Sequence, residues 1–200
     1  MAFSDYKYIG QTQAEYNIKF DKANFMVAQD FPPSDFFLSE FEFTIKNFQF
    51  RSEPSRTETL IFPILREVYK SYNENLTLWS HESIAYTEKL LGAPDYLIAT
   101  KSPLGITVMA KPLLAVVEAK KNDFEYGWGQ CLAEMYAVQQ INENADLTVY
   151  GIVTDGEIWQ FGELTKDVFT QNIASFSIGD LPKLFGALHF VFQTIAANLG

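Results

Sequence analysis

The chain has 200 residues, 48% hydrophobic and 16% aromatic, with a formal net charge of −10 from 15 basic and 25 acidic residues. This length fits one domain, or one domain with an extension, and supplies a full core without staples. The single cysteine, Cys131, excludes an internal disulfide, no apolar run approaches the ~20 residues that span a bilayer, and residues 1–10 carry no secretory signal, so the expectation is a cytoplasmic protein.

Taken in chain order, residues 1–50 read as an N-terminal extension, β-rich or irregular. Phe41-Glu42-Phe43-Thr44-Ile45 and Phe48-Gln49-Phe50 alternate aromatic and polar positions, a period of two. Phe31-Pro32-Pro33-Ser34-Asp35 reads as a turn. A helix follows, with Ser55 as N-cap, Glu58 completing a capping box, and Leu60, Ile61, Ile64, Leu65 and Val68 at helical spacing. Pro63 inside that pattern predicts a kink or a later start. Residues 76–84 read as a short strand and loop, 95–100 as a strand, and 101–105 as a turn. Leu113-Leu114-Ala115-Val116-Val117 reads as a central strand buried on both faces. Trp128, Cys131, Leu132, Met135 and Val138 predict a helix over 128–142, with Cys131 on its core stripe. Leu147–Thr154 and Glu157–Leu164 form a hairpin around Asp155-Gly156, and Pro182–Leu199 closes the chain as an amphipathic helix. The order is helix, three strands, helix, two strands, helix: an α/β fold with a mixed sheet flanked by helices.

The chemistry-bearing residues gather at the ends of two strands. Glu118 and Lys120, two apart at the end of the central strand, project to one face, while Ala119 points away and leaves its carbonyl near the same edge. With Asp95 on a neighbouring strand, two carboxylates and one carbonyl would make an oxygen-rich, partly hydrated site of the kind Mg²⁺ prefers. Such an ion polarises a phosphoryl oxygen and lowers the pKa of a bound water, and Lys120 adds a fixed positive charge. An isolated Glu-x-Lys more often marks where a strand meets water. Here it follows an apolar strand, with a second acid upstream and a helix bearing Gln130 downstream.

The runs Gly92-Ala93-Pro94-Asp95-Tyr96, Val117-Glu118-Ala119-Lys120-Lys121 and Gly129-Gln130 resemble the PD-(D/E)xK nuclease superfamily. The likeness is greatest to the N-terminal nuclease domain of type I restriction-enzyme motor subunits and their stand-alone relatives. It covers roughly residues 51–165 and includes Glu53-Pro54-Ser55-Arg56, Leu60 to Leu65, and Gly151 to Trp159. The resemblance implies a restriction-endonuclease-like core over 51–200 and a Mg²⁺- or Mn²⁺-dependent endonuclease acting on DNA. It also implies Asp95, Glu118 and the Ala119 carbonyl as metal ligands, Lys120 serving the water, and an acid from the first helix, Glu58 or Glu53, with Glu67 a weaker candidate. The relatives carry Gln-x-x-x-Tyr on the following helix; here Gln130 is followed by Glu134, and a tyrosine comes only at Tyr136. Gln130 reads either as an exposed helix residue or as a contact to DNA or to the lysine–water network. A homodimer and a protein partner bound through residues 1–50 fit the same reading.

The acidic balance opposes it. DNA phosphates need a basic face, and the candidates for one are Arg51, Arg56, Lys89, Lys101, Lys111, Lys120 and Lys121. At least two of Lys121, Arg56, Lys101 and Lys111 are expected at the cleft. The alternative is a non-catalytic protein-interaction module with the same fold. His81 and His189 stand apart without cysteine or histidine partners, so zinc is not expected.

Overall fold

The computed structural model describes residues 2–27 and 29–199. The extension expected to be β-rich over 1–50 holds more helix than strand. It consists of a 3-10 turn (Phe3–Asp5), helix α1 (Ile9–Tyr16), one strand, β1 (Lys19–Ala23), and helix α2 (Asp35–Asn47). Ser34 caps α2, its Oγ accepting from Phe37 N at 3.2 Å. Phe37 and Phe41, one helical turn apart, stack at 5.4 Å, and Phe37 meets Phe185 edge-on. The alternation that suggested a strand runs through Phe43 and Ile45, which are 59% and 41% exposed. The i, i+4 pair has a surface to pack against and the period-two set has none, so the helix forms.

A nearly continuous helix then spans 53–69 as α3 (Glu53–Arg56), a π-helical turn (Thr57–Ile61) and α4 (Phe62–Tyr69). Its cap is Ser52, which accepts from Ser55 N at 3.2 Å, while Ser55 Oγ bonds Gln49 O. The expected Ser55–Glu58 capping box is therefore not formed. Pro63 has no N–H to donate and its ring crowds the carbonyl four residues back. The wider π turn just before it accommodates that mismatch, so the helix continues.

The remaining elements are β2 (Leu76–Ser80), a small hairpin of β3 (Ile84–Ala85) and β4 (Leu91–Gly92), β5 (Tyr96–Thr100), β6 (Ala110–Ala119), α5 (Phe124–Asn142), β7 (Val149–Thr154), β8 (Ile158–Thr165), β9 (Val168–Asn172), β10 (Phe176–Ser177) and α6 (Leu181–Ala197). The main sheet runs β1-β9-β8-β7-β6-β5-β2, with β10 beside β8. The β6–β7 and β1–β9 pairs are parallel and the others antiparallel. The predicted mixed sheet flanked by helices is present. Its additional strands β9 and β10 fall within 165–181, a stretch the sequence pattern leaves without an element. No helix among the described residues is long and apolar enough to cross a membrane.

The sheet separates two cores. One lies under α4 and α6 and includes Leu60, Ile64, Leu184, Phe185, Leu188 and Phe192. The other lies under α5 and includes Leu97, Val116, Cys131, Leu132, Met135 and Val153. Helix α5 is the crossover between parallel β6 and β7, so its first turn begins beside the carboxyl end of β6. Two glycines let it lie between layers. A Cβ on Gly127 would sit 2.6 Å from Val153 Cγ1 and 3.1 Å from Lys120 Cγ; one on Gly129 would sit 2.5 Å from Tyr8 N. Thus α5 presses on the sheet with one side and carries the N-terminal segment on another, where Tyr16 stacks on Tyr136 at 4.3 Å. That contact makes Tyr136 a packing residue of the layer edge.

Candidate functional site

Asp95 immediately precedes β5 and Glu118 lies near the end of antiparallel β6; the register Tyr96↔Val117 sets the two acids side by side. Asp95 Oδ2 accepts a hydrogen bond from Ala119 N at 2.7 Å. Leu97, Ala99 and Val116 belong to the core under α5 and Ala119 to the opposite core. Strand alternation therefore places Asp95, Glu118 and Lys120 on the α5 face. Lys120 Nζ donates to Glu118 Oε1 at 2.5 Å, with side chains 13% and 2% exposed. At Ala119 the contact with Asp95 is made by the N–H.

Beside this group opens a cleft of about 220 Å³ lined by Glu53, Pro54, Thr57, Glu58, His81 and Asp95. Both helix acids reach it. The charge of Glu53 bears on Asp95 and Lys120, whereas that of Glu58 bears on Tyr96, so Glu53 is the nearer partner. Glu67 lies elsewhere, bonded to Ser34 and Lys70. His81 was not predicted. Its N–H bonds Asp95 O at 3.0 Å and its Nδ1 lies 3.6 Å from Asp95 Oδ1. Spacing along the chain carries no sign of this; it follows from the β2–β5 register, which pairs Ser80 with Tyr96.

Electrostatics reflect burial. The Asp95 carboxyl is raised by burial, against the Ala119 N–H, Lys120 and His81. Glu118 is pushed up to about 8, by burial first and then by the charge of Asp95, with Lys120 opposing. Burial alone would lower Lys120, but Glu118 outweighs it and the ammonium is held above its ordinary value.

Helix α5 adds two polar side chains from above. Gln130 is buried, 9% exposed, and its Nε2 donates to Glu134 Oε1 at 3.2 Å. It is not an exposed helix residue. Glu134 is fully buried; burial raises its carboxyl, which shares a hydrogen bond with that of Glu118. Apart from that contact, Glu118 Oε2 and Glu134 Oε2 are buried without a hydrogen-bond partner.

Carboxylate oxygens are the donors that a hard divalent cation prefers, with water in its remaining positions. Among the described residues no three His, Cys, Asp or Glu side chains form a ready metal cage. Two carboxylates, completed by water or substrate oxygens, are the arrangement the side chains offer.

The expected basic rim is largely missing. Arg56 is taken up by Asp155 O at 2.7 Å, Asp155 Oδ2 at 3.8 Å and Glu157 Oε1 at 3.3 Å, where it braces the hairpin turn. Lys101 bonds Asn73 O and Lys111 bonds Ile141 O. Both stand at the opposite end of the sheet; Lys111 is about 23 Å from Glu118 along β6, at ~3.3 Å per residue. Lys89 pairs with Glu15. Of Lys121, Arg56, Lys101 and Lys111, only Lys121 borders the site, its N–H 3.4 Å from Glu53 Oε2 and its Nζ on Arg51 O. Asp123 is the N-cap of α5 and accepts from Tyr126 N at 3.0 Å. The chain matches no protein-family model and no curated protein.

Proposed function

We propose that this protein is a metal-dependent phosphodiester hydrolase acting on DNA, with a restriction-endonuclease-like core of the PD-(D/E)xK type. The observation that carries this reading is the convergence of Asp95, Glu118 and Lys120 on one sheet face, at the end of adjacent antiparallel strands, beside a cleft that Glu53 and Glu58 also line. Asp95 and Glu118 would hold Mg²⁺ or Mn²⁺. A bound ion polarises a phosphoryl oxygen and makes a nucleophile of water near neutral pH. Lys120 stands ready as a fixed charge for the negative charge that develops on the phosphate oxygens. The Ala119 N–H orients Asp95, and the salt bridge with Lys120 orients Glu118.

A second reading has its own support. The cleft lining carries Glu53, Glu58 and Asp95, and Arg56 is withdrawn from it, an arrangement that repels phosphate until a cation is present. A non-catalytic module of the same fold would keep these residues without cutting.

Cleavage of single-stranded, double-stranded and branched DNA with Mg²⁺, Mn²⁺ or EDTA separates the two. The nuclease reading expects metal-dependent cleavage that falls at least a hundredfold in Asp95→Asn and Lys120→Ala proteins with wild-type circular dichroism. No cleavage of any form, with no DNA binding at low salt and with metal, replaces it with the interaction module.

A further inference from the structure

We infer that the pocket between the N-terminal segment and the first turn of α5 takes an unstacked nucleobase of the DNA strand that reaches the candidate site. The inference rests on the DNA-binding part of the proposed function. The pocket holds about 340 Å³, and its lining includes Tyr8, Phe124, Glu125, Trp128, Gln160 and Gln171. Tyr8 is 49% exposed, yet its position is fixed. Its backbone rests on α5 at Gly129, and its N–H points to Gln11 Oε1 at 3.4 Å. A Cβ on Gly10 would sit 3.3 Å from two carbons of the Tyr8 ring, so the bare glycine lets that ring lie against α1. Gln160 is fixed as well. Trp128 Nε1 donates to its Oε1 at 2.7 Å, which leaves the amide NH₂ as a donor for a ligand. Gln171 offers a second amide on the same sheet face.

A nucleobase has a flat π-face and an edge of donors and acceptors in one plane. Aromatic rings stack on the face, and amides or carboxylates pair with the edge. No Lys or Arg lines the pocket, and Glu125 does, so its chemistry suits a base and not a phosphate. Positive charge stands just outside. Lys7 Nζ lies 4.4 Å from the centre of the Tyr126 ring and Lys120 Nζ lies 5.4 Å from it, so one ring links the segment before Tyr8 to the candidate site. Lys7 spends donors on Ser4 O at 2.6 Å and Tyr126 Oη at 3.4 Å. Its ammonium keeps a third for a phosphate. Strand register fixes the distance to the site. Glu118 pairs with Val153, and Val153 pairs with Gln160. Two strand spacings of ~4.8 Å put Gln160 about 10 Å from Glu118. That span is about three nucleotides of a stacked strand at ~3.4 Å each. The base in the pocket and the phosphate at the site then belong to one strand. A duplex keeps its bases paired and stacked, so the pocket favours single-stranded or unpaired DNA.

The test compares two probes of equal charge by fluorescence anisotropy at low salt, with Ca²⁺ in place of Mg²⁺. One is a short single-stranded oligodeoxynucleotide; the other has the same backbone with abasic sugars throughout. Wild type should bind the base-bearing strand about tenfold more tightly. Tyr8→Ala should abolish that preference and leave the affinity for the abasic strand unchanged, whereas Tyr8→Phe, which keeps the ring, should retain it. If Tyr8→Ala keeps the wild-type preference, or weakens both strands alike, the inference fails and the DNA reading stands. If wild type binds neither strand, both fail. A preference lost in Tyr8→Ala, in a protein that cuts no DNA, upholds the pocket and removes the nuclease. Should Tyr8→Ala not fold, Tyr8→Leu carries the same comparison, because it keeps an apolar side chain against Gly10 and removes the ring.

Discussion

The face of the sheet under α4 and α6 and the face under α5 are both closed to solvent, yet they bury different chemistry. Under α6, Leu184, Phe185, Leu188, Val191 and Phe192 meet Leu60, Ile64 and Leu65, all fully buried. Under α5, the carboxylates of Glu118 and Glu134 and the amide of Gln130 sit among Cys131, Met135, Val116 and Val153. Apolar burial on the first face contributes stability in proportion to area. On the second, Glu118 is paired with Lys120 and Glu134 with Gln130, and burial raises both carboxyls, so this face buries polar groups at a cost that the first avoids. The difference teaches that one face is an apolar anchor and the other carries the polar residues of the candidate site.

The largest effect that tests this division is Phe185→Ala. Removing a fully buried phenyl that meets Phe37 should cost about 3–5 kcal/mol by urea unfolding. Under the proposed function, Mn²⁺ should still raise the melting temperature of this variant, because the candidate site lies on the other face. A loss under about 1 kcal/mol would mean that this face is not the anchor.

A smaller change should come from Gln130→Leu, which strips Glu134 Oε1 of its donor. The cost should be about 1–3 kcal/mol. The double substitution Gln130→Leu with Glu134→Leu should recover most of that loss, because replacing both partners leaves no bare polar group. A double mutant less stable than the single would show that the polar pair is itself an anchor.

The smallest effect lies on the apolar side and depends on pH. Burial holds the His189 imidazole below its usual 6.5; the ring stacks on Phe31 at 4.2 Å and hydrogen-bonds Tyr72. Below that value the unfolded chain takes up a proton that the folded protein resists. Stability is therefore full above pH 6.5 and falls as pH drops from there toward the folded value. Between pH 7.5 and 5.5 wild type should lose about 1–2 °C more in melting temperature than His189→Gln. Equal losses would show that His189 gains its proton as readily folded as unfolded.

The sequence by itself determined the elements whose patterns are local. The apolar run 113–117, the helical stripe from Trp128 to Val138 and the Asp155-Gly156 turn each lead to the expected element, and the spacing of Glu118 and Lys120 fixes them on one side of a strand. Period and turn chemistry are properties of a few neighbouring residues, so they can be read without the rest of the chain. What lay beyond that reach was decided by partners. Phe41 to Ile45 alternates like a strand, and it is the surface offered by Phe185 that makes it helical. Arg56 looks free for phosphate until the β7–β8 turn claims it. His81 joins Asp95 only because β2 pairs with β5, and Glu134 meets Glu118 only because α5 crosses back over β6. Burial and ion pairing are set by whichever groups tertiary packing brings within a few ångströms, and that distance is not written in the separation of residues along the chain.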